Sequence, residues 1–182
     1  MTILGLCTHL TESDEWAFDY AFRLAQKHAW QLNICHWLHS PFLLRRDVVN
    51  DDLFHPTQAA PITPELLTRL EYQLRSYYDP KLGDYTQVAF KLCEGQYQVE
   101  LTRCFHKHQL DLVVMGYQWD ESEAGAQPLE DFAAKLPYPL ILVGKHGPNS
   151  FLLNQKAMDW IDQLDLAGQG WMVLEAALIK ER

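Results

Sequence analysis

The sequence predicts an α/β protein built on a doubly wound parallel sheet with helices on both faces. Two observations carry that expectation. Nearly continuous apolar runs, such as "LDLVVMG" (110–116) and "YPLILVG" (138–144), suit strands buried on both sides. Segments of helical period separate the runs, giving the order βα-β-(loop)α-βα-βα-β. Strands alternating with helices make parallel neighbours, and right-handed crossovers then wind the sheet both ways.

The first strand is "TILGLC" (2–7), a short apolar run. Ser13 is a candidate N-cap for the helix that follows, with Asp14 and Glu15 in its positive-ended first turn. Tyr20, Ala21, Leu24 and Ala25 recur at helical spacing, so this helix runs to about residue 29. "QLNICHWLH" (31–39) reads as the second strand. Residues 40–62 show no sustained period and carry three prolines, a long connection of the kind that covers an edge or meets a partner.

Thr63 and Pro64 then open a helix as N-cap and first residue, with Leu67, Leu70, Leu74 and Tyr77 as its stripe. "DYTQVAFKLCEG" (84–95) alternates and is a strand. Residues 96–108 put Tyr97, Leu101, Cys104 and His108 on one helical face. The apolar strand at 110–116, a short helix at 128–136 and the fifth strand at 138–144 complete the unit. After Gly147-Pro148 comes an extension, 147–182, distinct from the domain at 1–146. Residues 149–166 read as an amphipathic helix using Leu153, Ala157, Ile161 and Leu164, and 171–182 fit helix or strand equally. The extension is expected to pack on its own domain or on a second subunit.

Composition narrows the function. The chain of 182 residues has 15 basic and 24 acidic side chains, a net charge of −9. That balance argues against nucleic acid and against anionic lipid. No apolar run approaches the roughly 20 residues of a membrane span. The N-terminal stretch lacks a basic n-region, so the expected location is cytoplasmic. Cys7, Cys35, Cys93 and Cys104 form no Cys-x-x-Cys pair and read as reduced, buried thiols. No triad or paired-carboxylate signature stands out, so an enzyme is not expected and no residue is assigned a catalytic role.

"ILGLCTHLTESDEWAFDYAFRLA", "CEGQYQVELTRCFHKHQLDLVVMG" and "FAAKLPYPLILVG", at their spacing here, resemble the universal stress protein family across most of residues 2–145. The resemblance implies a five-stranded sheet in the order 3-2-1-4-5, commonly a homodimer, and a role in stress response. One branch of that family binds ATP, with an acidic residue ending strand 1 and Gly-x2-Gly-x9-Gly-Ser/Thr after strand 4. Glycines there let backbone N–H groups approach the phosphates. In this chain the strand-1 acid falls at Thr8. Gly116 matches the first glycine and Trp119 replaces the second. Counting onward puts Leu129 and Glu130 at the Gly-Ser pair, whereas anchoring on the fifth strand puts Ala126 and Gln127 there. Neither register supplies a glycine followed by a hydroxyl.

Asp120, Glu121, Glu123 and Glu130 add negative charge where a triphosphate would sit, and no Lys or Arg lies between Lys107 and Lys135. ATP is therefore not expected as a cofactor. The favoured reading is a universal stress-like, non-catalytic regulatory or interaction protein, a homodimer that meets a partner through 40–62 or 147–182. The alternative is a binder of an adenine nucleotide or other small molecule in the crevice at the carboxyl ends of strands 1 and 4. Its lining would be Thr8, Gly116, Trp119, Ala126 and Gln127. A third reading makes Cys7 and Cys93 a redox or metal sensor. Cys7, His9, His39 and Cys93 all fall near the carboxyl edge, but they come from different strands and no metal site is assigned.

Overall fold

The computed structural model describes residues 1–9, 12–38, 62–117, 129–145 and 150–175. The strands are β1 (Ile3–Thr8), β2 (Gln31–Trp37), β3 (Val88–Cys93), β4 (Leu112–Gly116), β5 (Leu140–Val143), β6 (Phe151–Leu153) and β7 (Trp171–Val173). The helices are α1 (Glu12–His28), α2 (Pro64–Leu82), α3 (Tyr97–His106) and α4 (Leu129–Lys135), with a 3₁₀ helix at Gln155–Gln163. The strands form one sheet in the order β3-β2-β1-β4-β5-β6-β7. The order 3-2-1-4-5 is thus present, and its five strands run parallel.

Each helix forms where the sequence places helix chemistry. Thr63 caps α2, its hydroxyl accepting from Leu66 N at 3.2 Å, with Pro64 at the first position. This helix runs four residues beyond the expected 78 and contains Pro80. Its buried face is Leu70, Leu74, Tyr78 and Leu82, so Tyr78 rather than Tyr77 completes the inward stripe. Helix α1 starts at Glu12, which places Ser13 inside the first turn instead of at the N-cap.

Strand residues alternate between two cores. Leu4, Leu6, Leu32 and Ile34 pack under α1 and α2 with Phe18, Leu24, Leu70 and Tyr78. Cys7, Cys35, Trp37, Cys93 and Met115 face the opposite way, under α3 and α4 with Tyr97, Leu101 and Phe132. This is the doubly wound arrangement, with a buried sheet between two helical layers.

The extension departs from expectation. Residues 149–166 do not form one amphipathic helix. Phe151–Leu153 is a strand antiparallel to β5, and the helical part is the 3₁₀ segment after it. Trp171–Val173 is a second strand, parallel to β6, while 176–182 lie outside the described residues. Among the described residues the sheet therefore has seven strands where the resemblance implied five, and the extension is not simply helical. "FLL" is too short for its period to separate strand from helix, and only β5's open edge decides it.

Asn154 follows β6 and fastens the extension. It is fully buried, and its Oδ1 accepts from Leu140 N at 3.1 Å and Ala157 N at 3.0 Å. Its Nδ2 donates to Tyr138 O at 2.7 Å, Ala133 O at 3.1 Å and Leu136 O at 3.3 Å. One amide thus caps the 3₁₀ helix and closes the turn between α4 and β5. On the other side, Tyr20 Oη donates to Leu164 O at 2.6 Å and Lys27 pairs with Asp165 at 2.7 Å. Trp30 and Trp160 meet edge to face with centroids 5.7 Å apart.

Replacing Asn154 by Ala would leave buried amide and carbonyl groups without this partner. Asn154→Ala is expected to lower unfolding free energy by about 2–3 kcal/mol, seen as a lower midpoint in urea denaturation.

Candidate functional site

In an open parallel sheet the crevice at the carboxyl ends of the strands, where the order reverses, is the natural ligand position. Here the reversal lies between β1 and β4, whose carboxyl ends carry Thr8 and Gly116.

Thr8 is fully buried and pairs in register with His36 of β2, which is also fully buried. The Thr8 hydroxyl shares a 2.8 Å hydrogen bond with Tyr78 Oη of α2 and donates to Asp14 Oδ2 at 3.4 Å. Asp14 Oδ2 also accepts the His9 main-chain N–H at 2.7 Å, so the carboxylate closes the chain's turn from β1 into α1. Asp14 is only 3% exposed. Burial pushes the Tyr78 phenol well up, and the Asp14 charge adds to it.

Gly116 faces the first turn of α1. A Cβ placed there would lie 2.2 Å from Ser13 O and 2.8 Å from Asp14 N, both backbone atoms that cannot swing aside. The glycine therefore admits a helix to the end of β4. Its packing role is independent of any phosphate.

The opposite side of the edge is aromatic. The His9 and Tyr97 rings stack at 5.7 Å, and Tyr97 stacks on Trp37 at 3.8 Å. Phe132 meets Tyr97 edge to face at 5.7 Å, and Tyr97 Oη donates to Met115 Sδ at 3.7 Å. Burial drives the Tyr97 phenol well up, as does the neighbouring Cys7.

Of the residues marked out in the sequence, Thr8 and Gly116 meet at this edge. Trp119, Ala126 and Gln127 lie outside the described residues, as do His39, Asp120, Glu121 and Glu123. Leu129 and Glu130 open α4, where Leu129 is buried in the α3–α4 core. The side chains of Cys7 and Cys93 lie on the far face with those of Cys35 and Cys104, opposite that of Thr8. Among the described residues, no group of three or more His, Cys, Asp or Glu side chains is arranged to hold a metal ion. No described helix is long and apolar enough to cross a membrane.

Sequence reasoning missed Asp14, Tyr78 and His36 as members of this edge. Asp14 reads as a helix-dipole acid, and nothing local says that it also binds the end of β1. Tyr78 was legible in the i, i+4 series from Leu70 through Leu74 to Leu82. His36 becomes visible only once β1 and β2 are aligned.

No protein-family model matches the chain, and no curated protein sequence does. Solved structures do. A protein of the universal stress protein family from Burkholderia pseudomallei is 15% identical, covers 64% of this chain and 81% of its own, and gives a TM-score of 0.40. Universal stress protein UspA from Lactobacillus plantarum is 13% identical, with 78% of this chain and 96% of its own covered and a TM-score of 0.47.

Gly116→Ala separates packing from ligand contact. The added methyl must displace backbone, so the variant is expected to lose about 2 kcal/mol or more of stability in denaturant titration. A glycine kept only for phosphate contact would leave the unfolding midpoint unchanged.

Proposed function

We propose that this chain is a universal stress-like regulatory or interaction protein, non-catalytic and dimeric, that does not hold ATP tightly. The observation that carries this reading is the bonded network at the carboxyl ends of β1 and β4. Asp14, Thr8 and Tyr78 bond to one another there, and Gly116 is pressed against the Ser13 carbonyl. A phosphate placed against Asp14 would meet a buried negative charge, at a cost that rises as the local dielectric falls.

The extension shapes the assembly in this reading. β6 occupies the edge of β5, so a dimer that continues the sheet pairs at β7 or at β3. β7 presents Trp171, 39% exposed, on that outer strand. The partner surface is then the extension, with 40–62 as the second candidate segment.

Native mass spectrometry of the purified protein, before and after addition of ATP with magnesium, tests both halves. The expected species is a dimer without nucleotide in both samples. One nucleotide per chain would establish the small-molecule reading of the crevice, and a monomer at micromolar concentration would remove the dimer.

A further inference from the structure

Among the described residues the sheet ends in two edge strands, β3 and β7. They differ in what they offer to a strand from outside. β7 runs parallel to β6, with Phe151 N donating to Gly170 O at 3.1 Å and Leu174 N to Leu153 O at 2.7 Å. Alternate residues of a strand bond to the same side, so Gly170, Met172 and Leu174 turn their main-chain groups towards β6. The N–H and C=O groups of Trp171 and Val173 therefore point away from the sheet, a short row of donors and acceptors along its edge.

That row is complementary to itself. When β7 meets a copy of itself antiparallel, with a two-fold axis at Met172, Trp171 of each copy lies opposite Val173 of the other. Each of these pairs exchanges both of its N–H···O=C bonds. The side chains obey the same symmetry. Met172 and Leu174 pack half-buried against the core under α3 and α4, so Trp171 and Val173 lie on the other face. Trp171 is among the large apolar side chains that stand exposed. Across the axis its indole would cover a β-branched side chain, a favoured cross-strand combination. Trp171, Met172 and Val173 carry no charge, so a chain of net charge −9 meets its copy there without like charges in opposition.

The other edge is built differently. β3 carries Lys91 in its middle, with Nζ 3.3 Å from Gln109 Oε1, and the Arg75 guanidinium lies over the Phe90 ring at 4.7 Å. Antiparallel pairing of β3 with its own copy brings two Lys91 side chains together on one face. Like charges so placed destabilise a strand pair, and a lysine on the outer strand is a means by which sheets blunt an edge.

We propose that β7 is the interface between two copies of this chain, joined antiparallel across a two-fold axis at Met172, with Trp171 of each opposite Val173 of the other. The interface is isologous, and the two sheets continue as one through the axis. The extension then has two roles, β6 covering β5 and β7 joining the copies. This interface rests on the dimeric reading of the chain and gives that dimer its surface.

Sedimentation velocity of the full chain over a range of concentrations tests the proposal, with a dimer expected for the unaltered protein. Trp171→Lys removes both Trp–Val pairs and should raise the dimer dissociation constant about tenfold or more. Val173→Pro removes an outward N–H while leaving Met172 and Leu174 to bond β6. It should weaken the dimer likewise, with the circular dichroism spectrum unchanged. Met172→Cys probes the axis itself. Residues opposite each other at such a non-hydrogen-bonded position have Cα atoms about 4.5 Å apart, within the reach of a disulfide. Mild oxidation should therefore give a covalent dimer linked through position 172, which the unaltered protein does not form. A dimer that keeps its affinity in Trp171→Lys and Val173→Pro and yields no cross-link at 172 would overturn the β7 interface and leave the dimeric reading standing. A monomer at micromolar concentration in the unaltered protein would overturn both.

Discussion

The approach of α1 to the end of β4 governs the chemistry of this fold. A helix backbone can come that close to a strand only where the strand residue has no Cβ, and Gly116 is that residue. Ser13 O sits where a methyl would otherwise be, and the same turn carries Asp14 beneath the end of β1. Thr8, His9 and Tyr78 then organise around the carboxylate. The first turn of α1 thus packs on the carboxyl ends of the two central strands, where open parallel sheets place their crevice.

A second constraint acts at the far edge of the sheet. Strand β5 would expose a row of unpaired backbone groups, and β6 covers it in antiparallel register. Asn154 makes that cover permanent, because one buried amide satisfies groups from α4, the following turn, β5 and the 3₁₀ helix together. A buried polar group so fully bonded ties the position of each element to the others. The extension is in this sense part of the sheet, whose outer edge moves from β5 to β7.

Strand alternation divides the chemistry between the two faces. Thr8 and His36 point towards α1 and α2, while their chain neighbours Cys7 and Cys35 point towards α3 and α4. A single residue of register separates a hydroxyl and carboxylate network from a thiol cluster. Strand sequences show which residues share a face within each strand, so the alternation is legible. Which strands lie side by side is not. Cys35 and Cys93 share a face because β2 and β3 are neighbours, although the whole of α2 lies between them in sequence.

The sequence by itself determined the order of elements, the parallel sheet and the two-sided burial, because periodicity and capping act over a few residues and need no distant partner. Thr63 and Pro64 start α2 wherever that helix lies, and "LVVMG" is a buried strand in any α/β setting. Tertiary structure alone decided that "FLL" is a strand, that Tyr78 turns towards Thr8, that Gly116 admits a helix and that four scattered cysteines meet. Each of these depends on a contact between residues distant in sequence, whose energy exists only once the sheet has assembled. Local pattern can favour an element, but the choice between a free edge and a seventh strand is made by what lies beside it.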